Sequence, residues 1–212
     1  LFIWSVNHDH LLEASLGYYI NPLLNILLGM VFLGERLRRL QWLAVALATI
    51  GVLIQVIMLG HLPWIALTLD GSFGIYGLIR KQSPVEAQRG LFGETLLLLP
   101  LALIYLFGFA DSATSQLTHN PLSLNLLLMA AGVVTTVPLL LFTAGARLIP
   151  LSTLGFIQYL GPSLMFLLAI TLYDEPIQGA KLLTFAFIWL ALALFSLESW
   201  HRARRARHSA VA

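Results

Sequence analysis

Long apolar runs alternate with short polar stretches along the whole chain. Each run is close to the ~20 residues that a helix needs to cross the hydrocarbon core of a bilayer. The strands of a membrane β-barrel would alternate apolar and polar side chains, so these continuous runs predict helices. A first stretch at residues 1–6 is interpreted as the end of a helix. Seven full spans are predicted at residues 11–33, 41–59, 62–79, 91–109, 122–146, 151–173 and 179–197.

The first full span and the sixth share one pattern, 140 positions apart. Pro22 interrupts the apolar run in the segment GYYINPLL, and Pro162 does so in IQYLGPSL. Tyr19 aligns with Tyr159 without a gap. Kinked or broken helices at matching places in two halves of a chain are typical of secondary transporters that are built from repeats.

Basic side chains occur almost entirely in alternate loops. Eleven of the twelve Lys and Arg residues follow the first, third and fifth spans or lie in the tail at residues 201–212, and Lys181 is the exception. Because cytoplasmic loops are enriched in Lys and Arg, this asymmetry predicts a cytoplasmic C-terminus and an outward-facing loop at residues 110–121. We interpret the tail as disordered, and Glu35 and Glu175, which end the two copies, as structural.

With this topology the first copy runs inward and the second runs outward, so the repeat is inverted. An odd number of helices per repeat is required, and we expect two repeats of five in a parent chain of ten spans. About three N-terminal helices of that parent would then precede this sequence. Residues 1–60 would be the end of the first repeat, residues 61–200 the second repeat and residues 201–212 a cytoplasmic tail.

The composition supports a membrane protein. Of the 212 residues, 58% are hydrophobic and 10% are charged, whereas soluble domains carry about 25% charged residues. Cysteine is absent, so neither a disulfide nor a thiolate metal site is predicted, and no cofactor or metal is expected. The basic tail is interpreted as a topology signal that contacts the anionic lipid bilayer rather than nucleic acid.

Several segments resemble a known family. LEASLGYYINPLLNILLGMVFLGERLRRL, LPWIAL, GETLLLLPLAL and GFIQYLGPSLMFLLA are similar to the EamA-type permeases of the drug/metabolite transporter superfamily, and within it to the RarD group. The resemblance covers essentially all 212 residues. It implies an all-α fold of ten helices in inverted repeats, a bacterial inner-membrane location and secondary transport of a small-molecule substrate. It does not identify that substrate, and a homodimer stays open.

The two proline motifs are the best candidates for a substrate cavity. A proline inside a helix deprives the carbonyl one turn earlier of its usual donor, and a membrane tolerates this only where protein or cavity water satisfies that carbonyl. Polar side chains surround both prolines. We therefore predict one central cavity, with a mere packing kink as the alternative. Its predicted lining is Tyr18, Tyr19, Asn21, Pro22, Gln158, Tyr159 and Pro162.

Two carboxylates are candidates for coupling transport to protons. Asp70 lies about halfway along the third span, and an ionisable residue at that depth is a candidate for function. Glu94 lies in the first turn of the fourth span and ranks second. The alternatives are a local hydrogen bond for Asp70 and favourable placement at a helix N-terminus for Glu94. Asp70 shares a face with Gly74 and Gly77, so a neighbouring helix or a cavity can approach closely.

These features favour a secondary transporter of small metabolites or drugs, with export as the expected direction. An intramembrane enzyme would need a nucleophile with a base, or a metal cluster, at membrane depth. All six histidines fall in predicted loops or the tail, so no enzyme is predicted. A non-transporting scaffold would not require an inverted repeat. No nucleotide-binding loop of the GxxxxGK type occurs in the sequence, so ATP is not expected to drive transport.

Overall fold

The regular structure of the chain is helical. A computed structural model describes residues 1–8, 11–110, 120–172 and 179–209. Within these ranges there is no strand, and the predicted all-α class is confirmed. The helices are α1 (Phe2–Asn7), α2 (Leu11–Leu33), α3 (Arg39–Leu59), α4 (Trp64–Gln82), α5 (Ala87–Gly108), α6 (Leu122–Leu148), α7 (Leu151–Gln158), α8 (Leu160–Leu172) and α9 (Gly179–Ser209).

Six helical segments in the described ranges are long and apolar enough to cross a membrane. They are α2 from Ser15, α3, α5, α6, α7 together with α8, and α9 up to His201. The remaining predicted span, which is the third in chain order, corresponds to α4, a continuous helix of 19 residues. It is less apolar than the others because it carries Thr68, Asp70 and Ser72 in its first half and basic residues at its end.

The prediction of a disordered tail is wrong for the part of it that is described. α9 continues without interruption to Ser209. The guanidinium carbon of Arg204 lies 3.8 Å from the centre of the Trp200 ring. These residues are four apart, so they share a helix face, and a cation over an aromatic face is attracted to it. Residues 111–119 of the predicted outward-facing loop lie outside the described residues, as does Glu175.

The chain divides into two compact units. One comprises residues 1–78 and 149–212, and the other comprises residues 79–148. This division follows packing and does not coincide with the repeat boundary at residue 60, so the repeat assignment stays a prediction. The cavity described below belongs to the first unit.

In the first unit, each helix of the earlier copy packs against its own counterpart. α2 lies against α7, and α3 lies against α9. Successive contacts along α7 move backwards along α2, so these two helices are antiparallel. In order along α7, the contacting pairs are Leu151 with Glu35, Gly155 with Pro22, and Tyr159 with Tyr19.

The pairing of α3 with α9 follows the same rule. Arg38 at the start of α3 lies 3.5 Å from Glu198 near the end of the apolar part of α9, and Gln55 near the other end donates to the Thr184 hydroxyl at 3.1 Å. Antiparallel pairing of equivalent helices is the arrangement that an inverted repeat predicts. Small residues allow the close approach, because a Cβ on Gly51 would lie 3.0 Å from the Thr184 carbonyl oxygen.

Candidate functional site

A cavity of about 600 Å³ lies among α2, α4, α7 and α8. This volume falls in the range of ≈ 300–1,000 Å³ that small-molecule sites occupy. Five of the seven residues predicted to line a cavity do line this one, namely Tyr18, Asn21, Pro22, Gln158 and Pro162. The further lining residues are Gly17, Leu69, Asp70, Ser72, Phe73, Tyr76, Gly161 and Met165.

The two proline motifs shape the cavity in different ways. α2 passes through Pro22 as one helix of 23 residues. In the second copy the helix is interrupted at Tyr159, where α7 ends and α8 begins at the next residue. The interruption places Gln158 at the end of one helix and Gly161 and Pro162 in the first turn of the next.

An amide network joins the two motifs. Asn25, one turn after Asn21, is fully buried. Its side-chain nitrogen donates to Asn21 Oδ1 at 3.1 Å and to Gln158 Oε1 at 2.6 Å. Since both acceptors line the cavity, Asn25 fixes two of its polar groups from behind. Asn25 was not among the residues predicted from the sequence to form the site.

Asp70 brings a carboxylate into the cavity wall. Its side chain is only 7% exposed, and its Oδ2 has no hydrogen-bond partner among the described residues. The carboxylate lies against Gly17 of α2, where a Cβ would come within 2.9 Å of both carboxylate oxygens. Gly17 therefore provides the space that this buried charge occupies. Of the described residues that line the cavity, Asp70 alone carries a charge.

The face of α4 beside Asp70 is largely apolar and aromatic. Leu69, Phe73 and Tyr76 lie on it with the spacing i, i+4 and i+7, and all three line the cavity. This stripe was missed in the sequence, although its helical spacing is visible there. On the face that carries Asp70 and Gly74, α2 approaches α4 closely, as the small residues predict. A Cβ on Gly74 would lie 2.8 Å from the Leu28 side chain of α2.

Tyr19 and Tyr159, which were also predicted to line the cavity, lie away from it. Tyr159 is fully buried, and its hydroxyl donates to the backbone carbonyl of Tyr19 at 3.1 Å. The Tyr19 ring packs edge-on against Phe185 at 5.7 Å and borders a smaller cavity of about 250 Å³ that includes Lys181. Each tyrosine is one residue from a cavity-lining neighbour, and one residue turns a helical side chain by about 100°.

Glu94, the second coupling candidate, belongs to the unit formed by residues 79–148. Its carboxylate lies 3.6 Å from Arg80, whose side chain is 5% exposed. Nearby basic groups satisfy backbone carbonyls of the same unit: Lys81 donates to Ala146 and Arg147 donates to Val85, both at 2.8 Å. This arrangement is that of a structural ion pair beside basic side chains that satisfy one carbonyl near the end of α6 and one in the connection between α4 and α5.

Glu35 joins the first copy to the second through three hydrogen bonds. Gly34 adopts a left-handed conformation with φ 65° and ends α2, so the chain turns Glu35 back toward the start of α7. Its carboxylate accepts the Leu151 N–H at 2.6 Å, the Ser152 N–H at 2.9 Å and the Ser152 hydroxyl at 2.6 Å. A carboxylate at a helix N-terminus satisfies unpaired N–H groups and complements the helix dipole. The structural role predicted for Glu35 is therefore to cap the N-terminus of α7 and to join it to the end of α2.

Known proteins resemble the whole of this chain. Protein RarD of Salmonella typhimurium strain LT2 is 64% identical over 205 residues, which are 97% of this chain and 70% of the relative. The chain belongs to the RarD group of membrane permeases. Another relative of this chain, an uncharacterized transporter of Vibrio cholerae, is 61% identical over 98% of this chain and 70% of its own length. The chloramphenicol-sensitive protein RarD of Pseudomonas aeruginosa is 37% identical over 99% of this chain and 69% of its own length.

The fold of this RarD-group chain also occurs in a solved crystal structure. The two superpose with a TM-score of 0.63 over 88% of this chain and 67% of the other, at 23% sequence identity. No known family model matches the chain. Membership of the RarD group confirms that part of the prediction and supports a membrane transporter, and the names of the relatives indicate transport rather than catalysis.

Proposed function

We propose that the cavity is the substrate site of a secondary transporter in the bacterial inner membrane, which exports small metabolites or drugs by alternating access. The observation that carries this proposal is the difference between the two copies of one motif around a single cavity. Pro22 lies within a continuous helix, and Pro162 follows an interrupted one. In a transporter with inverted repeats, the two halves exchange conformations when the cavity changes sides.

The contacts support a state that is closed toward the cytoplasm. Residues 36–39 contain three arginines, so the positive-inside rule assigns the end of α2 to the cytoplasmic face. At this end the Glu35 carboxylate ties α2 to the start of α7. The cavity begins at Gly17 in the opposite half of α2. We propose that breaking the Glu35 contacts accompanies opening to the cytoplasm.

Asp70 is the leading candidate for proton coupling in this proposal. It is the charged residue among the described residues of the cavity wall, and one of its carboxylate oxygens has no hydrogen-bond partner among them. Glu94 is the weaker candidate because its carboxylate already has a partner in Arg80. In proteoliposomes of the full-length protein, Asp70→Asn should abolish the dependence of transport on a pH gradient, and Glu94→Gln should retain it. If transport by both variants still depended on the pH gradient, proton coupling through these carboxylates would be contradicted.

The assignment of the cavity is tested by labelling with a thiol reagent. Residues 1–212 contain no cysteine, so single cysteines can be placed at Asn21 and Gln158, with fully buried Ala48 as the control position. A membrane-impermeant thiol reagent should modify the first two in the folded full-length protein and leave the third unmodified. A screen of amino acids, vitamins and amphenicols should yield a compound that protects both positions. Absence of labelling at both would place the transport path elsewhere.

A further inference from the structure

The cavity contains one charge and no partner for it among its described lining residues. Asp70 is 93% buried, since its side chain is 7% exposed, and its Oδ2 makes no hydrogen bond to a described residue. An unpaired buried carboxylate is costly, and pairing with a cation or uptake of a proton removes that cost. No Lys, Arg or His is among the described residues that line the cavity. Among the described residues the ionised form therefore has no partner, and a bound cation can supply one.

The groups around Asp70 offer further contacts that suit a cation. Tyr18, Phe73 and Tyr76 bring aromatic rings to the wall, and an ammonium group is attracted to the face of such rings. The side-chain oxygens of Asn21 and Gln158 each accept one hydrogen bond from Asn25. An amide oxygen has two lone pairs, so each can accept a second bond from a ligand.

We propose that the cavity binds organic cations that carry a protonated amine on an aromatic or apolar body. The ammonium group pairs with the Asp70 carboxylate, and the body lies against Tyr18, Phe73, Tyr76 and Met165. This inference rests on the proposed transport site and specifies its substrate class. A carboxylate-bearing solute of the same size is repelled by Asp70, and a neutral one leaves the buried charge unpaired.

Three probes that share one phenyl ring but differ in their head group isolate the effect of ligand charge on binding. They are phenethylamine, which is cationic at neutral pH, the neutral 2-phenylethanol and the anionic 3-phenylpropionate. Their binding to the full-length protein in lipid nanodiscs is measured by titration calorimetry. Because hydrogen bonds to charged groups are stronger than neutral ones, the amine should bind at least about tenfold more tightly than the alcohol. The anion should bind most weakly.

Variants assign the preference to Asp70. In Asp70→Asn the amine and the alcohol should bind alike. Gly17→Ala keeps the charge but places a methyl group 2.9 Å from both carboxylate oxygens, so the carboxylate must move and the preference should fall. Gly71→Ala is the matched control on α4, because a Cβ there meets no atom within 4 Å. Its preference should equal that of the unmodified protein.

The outcomes separate this inference from the proposed function. Equal binding of amine and alcohol to the unmodified protein, with protection of a cysteine at Asn21, would overturn the cation inference and leave the transport site in place. Failure of all three probes and of the wider screen to protect that cysteine would overturn the site itself. If Asp70→Asn does not fold, Gly17→Ala against Gly71→Ala decides the role of the carboxylate.

Discussion

Pro22 and Pro162 occupy equivalent positions of a repeated sequence, yet the helices that carry them differ. α2 continues through its proline, whereas the second copy is interrupted at Tyr159, three residues before its proline. A helical proline removes one hydrogen bond in both copies. The comparison teaches that the proline permits a break, and that the neighbouring residues determine whether one forms.

The neighbours of the two prolines differ in a way that explains the break. Gly161 and Ser163 flank Pro162, whereas the first copy has an asparagine and a leucine at those positions. Glycine is a poor helix former. The Ser163 hydroxyl donates to the Tyr159 carbonyl at 2.7 Å and accepts the Trp189 indole N–H at 3.1 Å. A leucine at this position could make neither contact, and a hydroxyl that donates to the carbonyl four residues earlier tends to bend a helix.

The largest expected effect concerns the contact that ties the two copies together at one end. Glu35→Ala removes a carboxylate that accepts three hydrogen bonds, which should lower the free energy of unfolding by about 3 kcal/mol. Denaturation of the full-length protein in detergent measures it. Glu86→Ala is the control, because that exposed carboxylate only pairs with Arg89 at 3.5 Å and surface pairs contribute about 0–1 kcal/mol. Equal losses in the two variants would contradict a special role for Glu35.

The contact between α2 and α7 should tolerate little added side-chain volume at Gly155 of α7. A Cβ on Gly155 would lie 2.5 Å from the Pro22 carbonyl oxygen, so Gly155→Ala should force α2 and α7 apart and cost about 2 kcal/mol of stability. The equivalent residue of the first copy is Ser15, which already has a side chain. Gly132→Ala, where a Cβ meets nothing within 4 Å, should not destabilise the protein in the same denaturation assay. A neutral result for Gly155→Ala would show that the helices are free to separate.

A smaller effect should distinguish the two repeated tyrosines. Tyr159→Phe removes the buried hydroxyl that donates to the Tyr19 carbonyl, at a cost of about 1 kcal/mol. Tyr19→Phe leaves that bond intact and should change stability less. If the copies exchange conformations during transport, the first variant favours the opposite state, and the cysteine at Asn21 becomes less accessible to thiol reagents. Identical behaviour of both variants would argue that the copies do not differ functionally.

The smallest expected effect comes from giving the second copy the residue of the first. Gly161→Asn should raise the helical preference of the segment by about 0.5 kcal/mol or less and so weaken the interruption at Tyr159. Hydrogen exchange of the backbone amides at residues 159–161 and 163 should become slower, because Pro162 has no amide hydrogen. The same substitution at Gly132, in the middle of α6, is the control and should leave the exchange around Tyr159 unchanged. Faster exchange in Gly161→Asn would mean that the glycine is not what weakens this helix.

Much of the site could be predicted because its main signals are local. The two prolines with Tyr18, Asn21 and Gln158 were visible as polar groups where an apolar helix is interrupted, and Asp70 was visible as a charge inside a span. The direction of each side chain was not visible, because one residue along a helix changes the face that it occupies.

Other features depend on contacts that a linear pattern does not contain. Asn25 acts through a hydrogen bond to Gln158, 133 positions away. The space that admits Asp70 is provided by Gly17, a residue of another helix. The helical end of α9 was missed because a basic sequence alone is typical of disorder, whereas the stacking of Arg204 on Trp200 depends on the helix that it helps to stabilise.

The composition of α4 has a consequence for how the protein enters the membrane. Asp70 near the centre of a helix costs ≈ 2.5–3.5 kcal/mol on insertion scales, and α4 is the predicted span that falls short of membrane-crossing apolarity. α2 and α3 precede α4 in the chain, and α2 presents Gly17 to the Asp70 carboxylate. During synthesis, we therefore expect α4 to insert into the bilayer by packing against helices that are already inserted, rather than by its own hydrophobicity alone. The residue that gives the cavity its charge also makes its own helix dependent on its neighbours for biogenesis.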